Sequence, residues 1–271
     1  MKICDSHIHS NNSFDAFDPV DEMCLAAIEK NIHSITFTDH CETWAIDDVY
    51  EDFGDFKISI PKSLKEIAEC QKKYSDKIKI YKGIELGNPC FDEALSGKAM
   101  AFGDYDFVLA SVHKSGDMLD YFYADYLNSD IDILLTNYFK EALKTANYYN
   151  FDSLAHLTYP LRYIMEIGLE FHIERYFPLI DEIFRILIKN EKALELNTSG
   201  LRKKMNTTMP DRGLMQRYKD IGGRLVTIGS DAHHKEDIGA NLADAIKILS
   251  DCGFKEYVIY ERHKPVFIDI C

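Results

Sequence analysis

The sequence lacks both a long apolar segment and a basic amino-terminal leader. No apolar run approaches the roughly 18 residues that a membrane-spanning helix needs. The opening residues, MKICDSHIHS, contain no basic stretch followed by an apolar core, so we expect no secretory signal. These two absences predict a cytoplasmic protein without a membrane partner.

Paired cysteines are also missing. The chain has seven cysteines, an odd number, and no two of them form a C-x-x-C motif. Disulfide frameworks and zinc ribbons both depend on regular cysteine spacings, so neither is expected. The pattern indicates reduced thiols, which agrees with the predicted cytoplasmic location.

Positive charge is scarce. There are 31 Lys and Arg residues against 45 Asp and Glu residues, which gives a net charge of −14. Proteins that bind nucleic acids need clustered Lys and Arg to contact the phosphate backbone, so we expect no nucleic-acid partner. A small anionic ligand is still compatible with this charge where local cations, such as bound metal ions, override the global field.

The sequence has no Pro/Gly/Ser-rich linker and no low-complexity tract, and its organisation is a rhythm of short β-rich runs that alternate with helical segments. The seven runs are KICDSHIHS, HSITFTDH, IKIYKGIELG, YDFVLASVH, FDSLAHL, ALELNTS and RLVTIGSDAH. Strands that alternate with helices indicate a parallel sheet. Seven such units favour a closed or nearly closed α/β barrel, and the length fits a single domain over residues 1–271.

Two further segments carry specific expectations. Apolar residues recur every three or four positions from Ile173 to Leu187, which predicts an amphipathic helix over 173–187. Pro178 leaves the start of this helix open, because proline fits the first turn better than the interior. Near the carboxyl end, YVIYERHKPVFIDI resembles two strands without a full helix between them, either an appended hairpin or a terminal strand.

Histidine or carboxylate residues end six of the seven runs. In a barrel of parallel strands the carboxyl ends converge on one face, where the active sites of such folds lie. Residues two apart on a strand point to the same side, which pairs His7 with His9 and Asp231 with His233. The candidate metal ligands are His7, His9, Asp15, His40, Glu85, His113, His156, Asp231 and His233.

This convergence predicts bound metal ions. Without a cation, so many buried polar groups around one point would remain unpaired, at a cost of roughly 1–3 kcal/mol each. Imidazole and carboxylate ligands suit Zn, Mn or Fe, and the set contains no cysteine. The candidates outnumber the ligands of one tetrahedral ion, so we expect several ions bridged by Glu85. Gly83 and Gly87 flank this residue and are expected to let backbone and metal approach closely.

The combination of motifs resembles the PHP (polymerase and histidinol phosphatase) family, in its histidinol-phosphate phosphatase branch. The resemblance runs from residue 5 to residue 233 and rests on motifs in the family's order: H-x-H ending at His9, Asp15, T-D-H at His40, G-I-E-L-G around Glu85, S-V-H at His113, A-H at His156 and G-S-D-A-H at 229–233. It implies a distorted (β/α)7 TIM-like barrel that holds three divalent metal ions, Zn, Mn, Fe or a mixture.

The resemblance also implies which residues hold each ion. One ion would be held by His7, His9, Glu85 and Asp231. A second would be held by Asp15, His40 and His233, and a third by Glu85, His113 and His156. The family often has histidine at the position of Asp15, and a carboxylate there is a harder ligand that favours Mn or Fe.

The implied activity is metal-dependent hydrolysis of a phosphomonoester, most specifically L-histidinol phosphate in histidine biosynthesis. Two ions a few ångströms apart lower the pKa of a bridging water, and the hydroxide attacks phosphorus in line. The candidate catalytic residues are Asp231, Glu85 and His233. Asp231 has two candidate roles, metal ligand and proton shuttle toward the leaving alcohol, between which the sequence does not decide.

Two arginines near the strand ends are candidates for binding the phosphate group. Arg162 lies six residues after His156, and Arg202 follows the sixth run in NTSGLR. The planar guanidinium fork suits bidentate contact with phosphate. A solvated surface arginine is the competing interpretation for each, because exposure is the default for this residue.

The remaining candidates for substrate binding are polar residues in the same loops. Asn197 either orients the substrate or caps the turn after its strand, and Lys114 is similarly ambiguous. Asp117 or Asp120 would bind the ammonium group of an amino-alcohol substrate. Residues 44–56 form either a lid or, more in line with their acidity, a solvated surface loop. Asp5 and Asp39 are expected to support the ligands through hydrogen bonds.

Two alternatives stay open. The same centre would serve a PHP-type phosphoesterase that acts on another small phosphomonoester or on a nucleotide. A metal-binding or regulatory module without catalysis would normally show gaps in the ligand set, and this sequence shows none. The expected partner is a small phosphorylated substrate, and the sequence predicts no particular oligomeric state.

Overall fold

The computed structural model describes residues 2–46, 54–116 and 120–270. Within these ranges ten strands alternate with eight α-helices. The strands are β1 (Cys4–Ile8), β2 (Ser34–Phe37), β3 (His40–Glu42), β4 (Lys79–Gly87), β5 (Phe107–Ser111), β6 (Ser153–Leu154), β7 (Ala193–Asn197), β8 (Val226–Gly229), β9 (Glu256–Glu261) and β10 (Lys264–Asp269). The helices are α1 (Val20–Glu29), α2 (Phe56–Lys73), α3 (Glu93–Met100), α4 (Ile131–Asn147), α5 (Leu161–Ile167), α6 (Phe177–Lys189), α7 (Arg212–Asp220) and α8 (Leu242–Asp251).

The first eight strands form a parallel sheet that closes on itself. Their order is β1-β2-β4-β5-β6-β7-β8, and β3 continues the line of β2 along β4. At the seam, the Asp231 N–H donates to the His7 carbonyl at 2.8 Å and the His9 N–H donates to the Ala232 carbonyl at 2.9 Å. The predicted distorted (β/α)7 TIM-like barrel is therefore confirmed. The shortest strand, β6, has only two residues, which is one visible distortion.

Continuous burial explains why these runs form the barrel wall. All residues of β5 (FVLAS) and β8 (VTIG) are buried, as expected for strands covered by side chains inside the barrel and by helices outside it. The helices contribute one apolar stripe each. Helix α6, for example, buries Ile180, Phe184 and Leu187.

The predicted helix over 173–187 begins later than its apolar stripe suggests. Residues Ile173–Tyr176 form a short 3₁₀ helix, and α6 starts at Phe177 with Pro178 in its first turn. Proline has no N–H to donate, and the first turn is the part of a helix that does not need one. The start that the sequence left open is thus set by the proline.

The carboxyl-terminal segment is an antiparallel hairpin of β9 and β10, the first of the two expected forms. It covers the amino-terminal ends of the barrel strands. The Tyr260 hydroxyl donates to the Asp152 carbonyl at 3.2 Å, and the His263 N–H donates to the Asp106 carbonyl at 2.9 Å. Because the hairpin covers this end, the barrel interior is approached from the opposite end, where the strand carboxyl termini lie.

The expectations about membrane-spanning helices and about cysteines can be compared with the described residues. No helix within those ranges is both long enough and apolar enough to cross a bilayer. The six cysteines of these ranges, Cys4, Cys24, Cys41, Cys70, Cys90 and Cys252, are free.

Candidate metal centre

Side chains from six different strand ends meet at the carboxyl end of the barrel. His7 and His9 follow one another on one face at the end of β1, and Glu85 lies near the end of β4. All the predicted metal ligands are brought together there: His7, His9, Asp15, His40, Glu85, His113, His156, Asp231 and His233.

Glu85 is at the centre of this cluster and each of its oxygens faces several imidazoles. Its Oε2 lies 3.0 Å from His7 Nε2, 3.3 Å from His9 Nε2 and 3.4 Å from His40 Nδ1. Its Oε1 lies 3.1 Å from the Nε2 atoms of both His113 and His156. A carboxylate with ligand atoms on both oxygens has the geometry of a bridge between ions.

Asp231 borders the cluster on a second side. Its Oδ1 lies 3.4 Å from His9 Nε2 and 3.5 Å from both His7 Nε2 and His233 Nδ1. The backbone of Asp231 is left-handed, with φ at 55°, a conformation that aspartate tolerates better than most residues. The N–H bond to the His7 carbonyl at the barrel seam holds this turn and directs the carboxylate inward.

Asp15 forms the outer edge of the cluster. Its Oδ2 lies 3.2 Å from His233 Nε2 and its Oδ1 lies 3.6 Å from His40 Nε2. The Asp15 side chain is 41% exposed whereas Glu85 is 1% exposed. The position between Asp15, His40 and His233 is therefore the one nearest to solvent.

The donor set fits metal ions. The Nε2 atoms of His7 and His9 lie 3.0 Å apart and both face the same oxygen of Glu85. The buried Nδ1 atoms of His40 and His156 have no hydrogen-bond partner among the described residues. Ligand atoms lie within 4.8 Å of one another in four groups at this place: His7, His9 and Glu85; His9, His40 and His233; His40, Glu42 and His113; Glu85, His113 and His156. The first and the last are parts of predicted sites, the second has His9 in place of Asp15, and the third includes Glu42, which was not a predicted ligand.

The electrostatics of the cluster favour cations. Burial alone would raise the pKa of Glu85, but the imidazoles of His40, His7 and His113 hold that pKa well below its ordinary value. Burial lowers the pKa of His9, yet hydrogen bonds to Asp231 and Glu85 outweigh it and raise the pKa to about 9. The carboxylates thus attract positive charge to this point, and metal binding must release protons from the imidazoles.

Two buried glutamates that the sequence interpretation missed orient the histidines. Glu195 Oε1 lies 2.7 Å from His7 Nδ1, and Glu42 Oε1 lies 2.7 Å from His113 Nδ1. Each glutamate is 1% exposed. The two-residue period of a strand could have indicated Glu42 in the sequence, because Glu42 follows His40 by two positions and lies on the same face.

Two aspartates hold the loops that carry the ligands, as expected. Asp39 Oδ1 accepts the Ser10 N–H at 2.6 Å and the Ser13 hydroxyl at 2.9 Å. Ser13 Oγ lies 3.2 Å from His9 Nδ1, so this aspartate reaches His9 through one hydroxyl. Asp5 accepts the Ser230 N–H at 2.8 Å and thereby supports the loop that contains Asp231.

Contacts with neighbouring protein groups explain why the two positions that flank Glu85 are glycine. A Cβ at Gly83 would lie 2.7 Å from the Phe37 carbonyl oxygen, on the neighbouring strand. A Cβ at Gly87 would lie 2.0 Å from the Glu42 carboxylate. Both glycines make room for protein groups, and the expected close approach between backbone and metal stays a prediction.

A cavity of about 320 Å³ opens over the cluster. Its floor is formed by seven of the predicted ligands and its opposite wall is aromatic and polar. The wall residues are Phe14, Asp120, Phe122, Tyr123, Tyr159, Arg162 and Tyr163. The cavity therefore combines candidate metal ligands on its floor with the Arg162 cation, the Asp120 carboxylate and several aromatic rings on its wall.

Arg162 and Asp120 are fixed in this wall by two tyrosines. The Arg162 guanidinium lies 5.4 Å from the ring centre of Tyr159 and 5.0 Å from that of Tyr163, close enough for cation–π contact. Tyr163 donates its hydroxyl hydrogen to Tyr159 at 2.7 Å, and Tyr159 donates to Asp120 Oδ1 at 3.1 Å. This chain of contacts orients both charged groups.

Arg202 and Asn197 lie behind Asp231 instead of on the cavity wall. Arg202 Nη2 donates to the Ser230 carbonyl at 2.7 Å. Asn197 Oδ1 accepts the Ser199 N–H at 2.9 Å, which is the turn-capping role, and Asn197 Nδ2 donates to Asp231 Oδ2 at 3.3 Å. Both residues are therefore placed to hold the Asp231 loop.

The other substrate-binding candidates divide between a buried lysine and residues that are not described. The Lys114 ammonium group lies 4.5 Å from the centre of the Trp44 ring and outside the cavity lining. Asp117 lies outside the described residues. Residues 47–53, in the middle of the segment 44–56 that was considered as a lid, also lie outside them.

Comparison with known proteins gives consistent results along nearly the whole chain. A model of the PHP domain matches residues 5–199. The chain is 32% identical to the probable histidinol-phosphatase of Clostridium acetobutylicum, over 96% of this chain and 97% of that protein. It is 29% identical to the histidinol-phosphatase of Lactococcus lactis, over 97% of this chain and 96% of the relative.

A solved structure extends the similarity to three dimensions. The crystal structure of histidinol phosphate phosphatase from Lactococcus lactis, complexed with zinc, L-histidinol and phosphate, matches with a TM-score of 0.83. That match has 27% sequence identity and covers 98% of this chain and 99% of the other. With its barrel, its cluster of histidines and carboxylates and these similarities, the chain belongs to the PHP domain family.

Proposed function

We propose that this protein is a metal-dependent phosphomonoesterase that hydrolyses L-histidinol phosphate to L-histidinol and phosphate. The observation that carries the proposal is the position of Glu85, surrounded by five imidazoles at the floor of a cavity whose wall holds Arg162 and Asp120. The ligands of the Lactococcus lactis structure, zinc, L-histidinol and phosphate, support the same chemistry. We further propose that residues 1–271 form one catalytic domain.

The cluster has the donors for three divalent ions, and zinc is the metal named for the relative. The first position would use His7, His9, Glu85 and Asp231; the second Asp15, His40 and His233; the third Glu85, His113 and His156. Divalent ions at such positions lower the pKa of a coordinated water and neutralise charge on the phosphate. Mn or Fe at the position of Asp15 remains part of the proposal, because its carboxylate is a hard ligand.

Arg162 is proposed to bind the phosphate group. Arg162 lines the same cavity as Glu85, and its guanidinium lies close to the rings of Tyr159 and Tyr163. A guanidinium that is already oriented loses little side-chain entropy when it forms two hydrogen bonds to phosphate oxygens.

Asp231 is proposed to act as a metal ligand whose second oxygen is held by the protein. Burial would raise its pKa, but His7, His9 and His233 hold the pKa well below its ordinary value, so the group is a carboxylate. Its Oδ2 accepts the Ser199 hydroxyl at 3.1 Å and the Asn197 amide at 3.3 Å. These contacts favour the ligand role over that of a proton donor to the leaving alcohol.

Phosphate release from a panel of esters tests the proposed function. We expect kcat/KM for L-histidinol phosphate to exceed that for a nucleoside monophosphate, a sugar phosphate and glycerol phosphate by at least about tenfold, the value of one charged contact. Equal rates across the panel would contradict the assignment and favour a general phosphomonoesterase.

Asp120 is proposed to bind the ammonium group of the substrate, which gives a prediction on specificity and pH. Burial raises the pKa of Asp120 to about 6. The carboxylate therefore loses its charge as the pH falls through about 6, and the preference for L-histidinol phosphate over glycerol phosphate should decline with it. In Asp120→Asn that preference should be about tenfold smaller at pH 8, and the difference from the wild type should disappear as the pH falls below about 6.

The measurement is kcat/KM for both esters between pH 5 and 8. Asp244→Asn, at an exposed position of α8, is the matched control and should behave as the wild type. A wild-type preference that stays constant across this range would show that Asp120 does not contribute to recognition.

A further inference from the structure

The two buried glutamates reach their histidines across an intervening strand. Glu42 on β3 is paired with Gly87 on β4, and Gly87 is paired with Ser111 on β5. His113 lies two residues beyond Ser111, and its Nδ1 is 2.7 Å from Glu42 Oε1. The side chain of Glu42 therefore passes over β4 to reach the end of β5.

The crossing uses the position on β4 that has no side chain. A Cβ at Gly87 would lie 2.0 Å from Glu42 Oε2 and 2.4 Å from both Oε1 and the carboxyl carbon. Distances of this kind are far below van der Waals contact, so any side chain at 87 would displace the carboxylate. Gly87 does not have positive φ, and backbone conformation therefore gives no separate reason for glycine.

A second crossing has the same order of strands. Glu195 lies on β7, Gly229 on β8 and His7 on β1, which follows β8 around the closed barrel. Glu195 Oε1 lies 2.7 Å from His7 Nδ1, and a Cβ at Gly229 would lie 2.7 Å from that oxygen and 2.3 Å from the His7 Cβ. A carboxylate, a glycine and a histidine thus lie on three successive strands, or just beyond the end of one, twice in one barrel.

Each crossing determines which nitrogen of the histidine faces the cluster. An Nδ1–H that donates to a carboxylate leaves Nε2 with its lone pair, which is the form that binds a metal. The Nε2 atoms of His7 and His113 lie 3.0 and 3.1 Å from Glu85. The geometry therefore links the two glycines to the ligand atoms through the glutamates.

We propose that Gly87 and Gly229 are positioning residues of the metal centre, because they let Glu42 and Glu195 hold His113 and His7 in the metal-binding orientation. This rests on the metal-binding part of the proposed function. It requires neither histidinol phosphate as substrate nor any activity.

Zinc affinity of metal-stripped protein, measured by competition with a chelator, tests the proposal. Gly87→Ala and Glu42→Ala should each weaken the tightest zinc binding by roughly 10- to 100-fold, the usual effect of losing a group that orients a ligand. The double variant should be no weaker than Glu42→Ala, since without the carboxylate the added methyl group has room. Gly97→Ala is the control, because a Cβ there has no neighbour within 4 Å, and it should match the wild type.

Glu42→Ala also covers the case in which Gly87→Ala fails to fold, because it removes the carboxylate and adds no atom at the crossing. Wild-type zinc affinity in Glu42→Ala or in Gly87→Ala would overturn the proposal. The proposal would also be overturned if Gly87→Ala weakened zinc binding by the same factor in the Glu42→Ala variant as in the wild type. Glycine at 87 would then be required by the backbone and not by the Glu42 carboxylate. A wild-type chain that binds no zinc would instead refute the proposed function, which keeps the two failures distinct.

Discussion

Glu85→Gln is expected to lower kcat on L-histidinol phosphate by on the order of 10²–10³ and to reduce the number of tightly bound metal ions. The two carboxylate oxygens face His7, His9, His40, His113 and His156 at 3.0–3.4 Å. Glutamine keeps the shape but replaces one oxygen with an NH₂ group, which cannot bind a metal and repels it. The measurement is steady-state phosphate release together with elemental analysis.

Glu166→Gln, at an exposed position of α5, is the matched control and should retain both activity and metal. Turnover that survives in Glu85→Gln with unchanged metal content would show that Glu85 is not the bridge and that the proposed arrangement of ions is wrong.

Arg162→Ala is expected to lower kcat/KM for L-histidinol phosphate by roughly 10- to 100-fold, because a charged hydrogen bond contributes about 1.5–3 kcal/mol. Metal content should not change, since the Arg162 side chain is held by tyrosines and not by the ligands. Arg162→Lys should restore only part of the activity, because lysine keeps the charge and loses the planar fork.

The control for this experiment is Arg185→Ala, whose side chain is 63% exposed on α6. An Arg162→Ala variant with wild-type kcat/KM would assign phosphate binding to the metal ions alone. Loss of metal in the same variant would place Arg162 in the structure of the centre and not in substrate binding.

The barrel and the convergence of ligands could be predicted because both depend on local patterns. The two-residue strand period pairs His7 with His9, and the end of each β-rich run gives the position of the next ligand. Closure then brings these ends to one place, whatever their separation in sequence. Geometry of this kind needs no knowledge of individual contacts.

The supporting residues could not be predicted in the same way, because their partners come from distant segments. Glu195 contacts a histidine 188 positions earlier, and Glu42 contacts one 71 positions later. Arg202 and Asn197 followed a strand end, as a substrate-binding residue would, but their side chains turn behind Asp231. The position of a residue in the sequence predicts that it lies at the carboxyl end of the barrel. The direction of its side chain is determined by packing.

The most direct test of the central claim is reconstitution of metal-stripped protein with zinc while phosphate release from L-histidinol phosphate is measured. We expect the stripped protein to be inactive and activity to return in proportion to added zinc, saturating at about three ions per chain, the number in the proposed arrangement. Full activity of the stripped protein, or no activity at any zinc content, would contradict the account.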